Sequence, residues 1–142
     1  LLHRSGKTVY SGSSPVSMSQ SRGKFRVRIQ NPVRLGDHSE PEPDIAVVQN
    51  RSYRDAHPTA AETLLLIEVA DTTLAYDRLV KTPLYARHGI PETWVLDVSG
   101  QRMECYRQPE PDGYQECRTF TGNAVLSPLC LPDVRVELAE LW

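Results

Sequence analysis

Glu68 stands inside the apolar run Leu64-Leu65-Leu66-Ile67-Glu68-Val69. A carboxylate in a strand that is apolar on both faces is desolvated. Burying it alone is costly unless it is paired, protonated or bound to a metal. A strand-end position facing a loop, or an arginine partner, would also account for it. Asp44 follows Pro43 and opens a second apolar run, Ile45-Ala46-Val47-Val48. Pro and Asp are ordinary turn residues at such a place. Taken with Glu68, Asp44 gains another meaning. Two adjacent strands that each present one carboxylate bring two hard oxygen ligands to one point. Mg²⁺ takes that arrangement, completing its shell with water and phosphate. Asp77 and Lys81 are four residues apart and share a helix face. That spacing gives an ordinary surface ion pair. It also lets a helix beside the Glu68 strand direct Lys81 to the carboxylates, where a cation orients water or stabilises charge building on phosphorus. Glu42 is near enough to Asp44 to act as a further ligand, although an exposed loop acid explains it better. Tyr85, four residues after Lys81, borders the same face or simply packs.

Other reactive side chains give less. Cys105, Cys117 and Cys130 form no CxxC pair and no zinc spacing. An odd, scattered set of thiols fits a reducing, cytoplasmic setting. His88 falls near a helix end, where an imidazole favours the macrodipole. His57 lies in a polar loop. Trp94 reads as core.

The elements that must position these groups follow from periodicity. Residues 25–29 alternate apolar and basic, as a strand with one wet face does. Residues 33–35 are expected to resume it after Asn31-Pro32. Residues 36–43 form a turn-rich acidic loop, and 45–48 a short buried strand. Residues 50–63 read as an irregular excursion. Residues 64–69 form the central strand, apolar on both faces. Asp71, Thr72 and Thr73 are N-cap candidates for a helix over 74–88, with Leu74, Leu79, Val80 and Leu84 as its apolar stripe. Gly89 suits its C-terminal cap, and Pro83 is expected to kink or split it at about Thr82. A strand over 93–97 and a hairpin of 102–107 with 114–120 follow, turning through 109–113. Residues 134–142 form a short strand or helix. The order argues an α/β sheet with one helix crossing from a strand to its parallel neighbour.

The bulk numbers are compatible with one domain: 142 residues, 39 % hydrophobic and 24 % charged. No apolar run reaches the roughly 18–20 residues that a membrane-spanning helix needs. Leu1-Leu2-His3-Arg4 is not followed by the apolar stretch of a signal peptide, and a first residue other than Met fits a shortened N-terminus. The net charge of −2 hides an asymmetry. Residues 1–36 hold seven Lys or Arg and no acid, while the remainder holds nine basic and all eighteen acidic groups. A basic segment ahead of an acidic body attracts a polyphosphate backbone, or is a solvated arm. Residues 5–23, rich in Ser and Gly, read as loop or disorder.

Several blocks together resemble one family. They are Glu40-Pro41-Glu42-Pro43-Asp44-Ile45-Ala46-Val47-Val48, Leu66-Ile67-Glu68-Val69-Ala70-Asp71, Tyr76-Asp77-Arg78-Leu79-Val80-Lys81, and Tyr85-Ala86-Arg87-His88-Gly89-Ile90-Pro91-Glu92-Thr93-Trp94-Val95-Leu96-Asp97. In this order they resemble the Uma-type restriction endonucleases of the PD-(D/E)XK nuclease superfamily, over about residues 26–142. The resemblance implies a restriction-endonuclease-like α/β fold: a central mixed sheet, a crossover helix and a C-terminal hairpin. It implies a Mg²⁺- or Mn²⁺-dependent endodeoxyribonuclease acting on DNA, with Asp44 and Glu68 as metal ligands. The carbonyl of Val69 is a possible further ligand. The lysine usual two residues after the second acid is here Ala70, so Lys81 takes its role, with Asp77, Glu42 and Tyr85 in support. The family's N-terminal helix with an acidic residue is not found in residues 1–24, which are expected to be a flexible basic segment ahead of a 25–142 domain. A nuclease fold without activity, serving as a DNA-binding or assembly module, is the alternative, and a homodimer stays open.

Overall fold

The computed structural model describes residues 2–4, 7–9 and 23–142. Six strands build the main sheet: β3 (Phe25–Ile29), β4 (Ile45–Gln49), β5 (Thr63–Ala70), β6 (Glu92–Asp97), β7 (Arg102–Glu110) and β8 (Gly113–Thr121), side by side in chain order. All neighbours are antiparallel except β5 and β6, which are parallel. The sheet is therefore mixed, and the one parallel pair is joined by the crossover helix, as the sequence order implies. A smaller antiparallel sheet runs in the order β2 (Lys7–Val9), β1 (Leu2–Arg4), β10 (Val134–Glu137), β9 (Val125–Leu126).

Strand alternation divides the core between the two faces. Val47, Leu65, Ile67, Trp94, Met103 and Cys105 face the C-terminal segment and pack against Leu126, Val136 and Leu138. Ala46, Val48 and Leu66 face the other way and meet Val33, Leu35, Tyr85 and Ile90. In β5, Glu68 has the parity of Leu66, so a strand written almost wholly in apolar residues carries its carboxylate on the helix side. Trp94 is core, as expected, at 1 % exposure.

Four expectations are corrected. Residues 33–35 do not resume a strand; Arg34 and Leu35 make only isolated bridges to Thr59 and Ser39. Within 5–23, read as loop, Lys7–Val9 is a strand; it pairs with the neighbouring β1, and β1 in turn pairs with β10 at the far end of the chain, a contact that local pattern does not reveal. The hairpin strands are longer than their apolar alternation and the turn shrinks to Pro111-Asp112, because polar residues at both tips still complete the ladder. The helix over 74–88 is composite: an α-helical turn Leu74–Tyr76 (α1), a π-helical segment Asp77–Lys81, and an α-helix Thr82–Arg87 (α2). The expectations for residues 5–6 and 10–22, and for most of the flexible basic segment, lie outside the described residues.

The π-helical segment is where Pro83 is accommodated. Proline has no N–H and crowds the carbonyl four residues back. Here the backbone N–H of Thr82 reaches the carbonyl of Asp77, a five-residue step, and the Thr82 hydroxyl donates to the carbonyl of Arg78 at 2.8 Å. The extra residue resets the face turned to the sheet. Asp77, Thr82, Tyr85 and Ala86 are buried, whereas Leu79 is 76 % exposed and Val80 46 %. The apolar stripe expected through Leu79 and Val80 is thus turned to solvent. α2 closes with Gly89 at φ +76°, its N–H donating to Ala86 at 2.9 Å while the N–H of Ile90 donates to Tyr85 at 3.1 Å. That Schellman closure seats Ile90 in the core and launches β6. His88 is the C-cap residue, with Nδ1 3.0 Å from the carbonyl of Leu84.

Candidate active site

Glu68 is 2 % exposed, and both its carboxylate oxygens are engaged. Lys81 Nζ lies 3.2 Å from Oε1, and Tyr85 Oη donates to Oε2 at 2.6 Å. Neither an arginine partner nor a strand-end loop accounts for this charge; the partners come from the composite helix. Lys81 Nζ also lies 3.3 Å from Asp77 Oδ1, and the Thr73 hydroxyl donates to Asp77 Oδ2 at 3.1 Å. Asp77 Oδ1 has no aligned hydrogen-bond donor, so its contact with Lys81 is one of charge rather than a directed bond. Thr73, an N-cap candidate by sequence, uses its hydroxyl for this carboxylate and makes no side-chain cap.

Asp44 enters from the start of β4. Its Oδ2 accepts the backbone N–H of Val69 at 2.7 Å, fastening it to β5 one residue past Glu68. The pairing Ile45↔Ile67, extended by two residues, sets Pro43 opposite Val69. In an antiparallel pair a residue's N–H and C=O point to the same neighbour. The Val69 carbonyl therefore points to the Asp44 side, where proline has no N–H to give it.

The electrostatics follow from burial and from these contacts. Burial pushes the Glu68 carboxyl above the usual carboxylate range; the Tyr85 hydrogen bond and the Lys81 charge oppose it, and Asp44's charge adds to it. Lys81 loses by burial but gains more from Glu68 and Asp77, and holds its proton more firmly than a free lysine. Burial and the negative charge of Glu68 push Tyr85 up, keeping its hydroxyl protonated as a donor.

Asp44, Glu68, Lys81, Asp77 and Tyr85 thus come together on one side of the sheet, and Val69 joins them only through its backbone, its side chain lying on the opposite face with Ile67. Glu42 is exposed on the loop before β4 and shares none of these bonds. Among the described residues no group of three or more His, Cys, Asp or Glu is arranged to hold a metal. The donors present are two carboxylates and a carbonyl. That set suits a hard cation that keeps several waters, as Mg²⁺ does.

Sequence reasoning missed a second ion pair on the same face. Glu68, Val95 and Glu104 lie in one row across β5, β6 and β7. Arg78 grips both oxygens of Glu104, with Nε to Oε1 at 2.9 Å, and the Tyr106 hydroxyl donates to Oε1 at 2.8 Å. The composite helix is therefore pinned to the sheet by two cations three residues apart, Arg78 and Lys81. The apolar–polar alternation of β7 could have flagged Glu104, since Tyr106 two residues on shares its face.

A mixed sheet crossed by one helix, with carboxylates at the meeting point of β4 and β5, is an α/β architecture. The model of the Uma2 family, described as "Putative restriction endonuclease", matches residues 14–139. The chain belongs to the Uma2 family. The match takes in residues 14–24, ahead of the blocks that carry the resemblance. Among solved structures, the fold is similar to the crystal structure of a "putative nuclease belonging to DUF820" from Anabaena variabilis, with a TM-score of 0.61 and 19 % identity over 88 % of this chain and 72 % of that one. No curated protein matches. No helix among the described residues is long and apolar enough to cross a membrane.

Proposed function

We propose that the chain is a metal-dependent endodeoxyribonuclease that hydrolyses DNA phosphodiester bonds at the Asp44–Glu68–Lys81 cluster. One observation carries this reading. A buried carboxylate, Glu68, is bonded to a lysine, and a second carboxylate, Asp44, is fastened to the next residue of the same strand. Family membership supports the same class of chemistry. Asp44 and Glu68 would hold Mg²⁺ or Mn²⁺, with the Val69 carbonyl as a third oxygen. When bound, such a cation lowers the pKa of a coordinated water and neutralises charge on the scissile phosphate. Lys81 would position the attacking water and offset negative charge in the transition state. Asp77, itself held by Thr73, keeps Lys81 charged and aimed. Tyr85 fixes the rotamer of Glu68.

The test is nicking of supercoiled plasmid in Mg²⁺ or Mn²⁺ by wild type, Asp44→Asn and Lys81→Met. Cleavage by wild type should fall on the order of 100-fold or more in each variant, as general acid–base and electrostatic contributions require. Equal traces of cleavage in all three would remove the enzyme reading. A second reading, a DNA-binding module without hydrolysis, is favoured by one observation: both oxygens of Glu68 are already engaged by Lys81 and Tyr85. It predicts DNA binding that is indifferent to metal and survives Asp44→Ala.

A further inference from the structure

Among the described residues β3 is the edge strand of the main sheet, and its basic residues are not fully solvated. Arg26 and Arg28 pair in register with Val48 and Ala46, so they share the sheet face of Asp44 and Glu68. Both are half-buried. Among the described residues, Arg26 Nε and Arg28 Nη1 are buried with no hydrogen-bond partner. The Arg28 guanidinium lies 5.2 Å from the centre of the Tyr53 ring, whose other neighbour, Arg51, is already paired with Glu62. The groups acting on Arg28 are Tyr53 and Arg26, and burial together with the Arg26 charge disfavours its charged form. Among the described residues, no ion pair joins either arginine to a carboxylate.

Charge on an edge strand commonly guards against strand-to-strand aggregation. That role needs solvated charges, and sequestering guanidinium nitrogens without acceptors works against it. An anionic ligand reaching the half-exposed guanidinium groups would answer their charge. Position selects the ligand. The backbone N–H of Gln30 donates to the carbonyl of Asp44 at 2.9 Å, so Arg28 stands one strand over and one step along from Asp44, roughly 8 Å in Cα terms. Arg26 is one step further, about 7 Å along the strand. Lys24 has the same parity and is exposed.

We propose that Arg26 and Arg28 form a phosphate track that grips the backbone of the DNA strand entering the Asp44–Glu68–Lys81 cluster. This rests on the nuclease reading for where the strand leads, but its test does not depend on hydrolysis. A fluorescein-labelled DNA duplex is titrated with the full chain in EDTA, and anisotropy is followed at several salt concentrations. The variants are Arg26→Gln/Arg28→Gln, the charge-keeping Arg26→Lys/Arg28→Lys, and Arg118→Gln/Arg135→Gln, which removes two exposed charges elsewhere. Thermal melts confirm that each is folded. The Gln pair should weaken binding tenfold or more at low salt and reduce the slope of log K against log salt by about two, near 0.9 for each phosphate that the arginines neutralise. The Lys pair should keep most of that slope, and the Arg118/Arg135 variant should match wild type. Undiminished binding and slope in the Gln pair would overturn the track, as would absence of DNA binding by wild type. Loss of cleavage with the track's salt effect intact would instead count against the catalytic reading alone.

Discussion

Glu68 is a buried acid whose charge the fold supports only in part. Its carboxyl titrates above the ordinary value of 4.5 because burial outweighs Tyr85 and Lys81. The folded state therefore holds a proton that the unfolded state has already released. Stability attributable to Glu68 falls as pH rises from about 4.5 through its folded-state pKa. In chelated protein, the melting temperature of wild type relative to Glu68→Gln should decline across that window. A constant difference would show that Glu68 is not desolvated. Tyr85→Phe removes the hydrogen bond that lowers this pKa, so the decline should extend to higher pH. It should also cost roughly 1–3 kcal/mol by denaturant melts, the penalty for a buried partner left unsatisfied. Glu68 was legible in the sequence because a charge inside an apolar strand is an anomaly by itself. The Asp77–Lys81 pair was legible through its spacing, whereas the turn of Lys81 toward Glu68 was one of two readings that spacing left open. Thr73 was not, since its residue type fits a cap equally well.

The composite helix is the element that decides whether the site exists. A regular 3.6-residue period puts Leu79 and Val80 toward the sheet; the π-helical segment puts Asp77, Thr82 and Tyr85 there instead. Pro83 signalled a break near Thr82, but not its form, because a proline dictates what cannot continue rather than what replaces it. Arg78 and Glu104 hold this segment down. Burial pushes Glu104 up, yet the bonds from Arg78 and Tyr106 outweigh it and leave its carboxyl below the usual range. That stability is present above pH 4.5 and lost as pH falls through the lowered pKa. Glu104→Gln should therefore cost about 1–2 kcal/mol at neutral pH, discounted because 34 % of the Arg78 side chain is exposed. The cost should vanish in melts below the pKa, and a pH-independent loss would mean that packing, not charge, is the cause. Cleavage should fall along with it, as the helical segment that carries Lys81 loses one of its two pins to the sheet. The edge strand β3 was legible as a strand, but its arginines read as solvated. Arg28 lies against the ring of Tyr53, which sits in a loop with no period to reveal its contacts.

For the molecule as a whole, the order β3 to β8 and the parallel β5–β6 crossover were legible because apolar runs, turn residues and chain direction leave few topologies. The small sheet was not, because β1 and β2 carry no alternation of their own, and the pair they form joins the sheet only through the contact of β1 with the distant β10. The C-terminal segment is held to the main sheet by another buried acid. Glu92 accepts Trp94 Nε1 at 2.7 Å, Arg107 Nε at 2.8 Å and the backbone N–H of Leu129 at 2.8 Å, with no exposure of its own. Glu92→Ala should cost about 2–4 kcal/mol in chemical denaturation, because three donors lose one acceptor. A change under about 0.5 kcal/mol would mean that the apolar packing of Leu126, Val136 and Leu138 holds the segment without it. This node lies on the sheet face opposite the carboxylate cluster. At matched folded fraction, its loss should leave the cluster's chemistry unchanged.

That chemistry is tested most directly by single-turnover cleavage of an end-labelled DNA duplex, comparing wild type with Glu68→Gln after both are shown to be folded. Wild type should cleave in Mg²⁺ or Mn²⁺ and stop on addition of chelator, and Glu68→Gln should be slower on the order of 100-fold or more. Cleavage at the same rate in both proteins, or undiminished in chelator, would contradict a metal-dependent nuclease centred on Glu68.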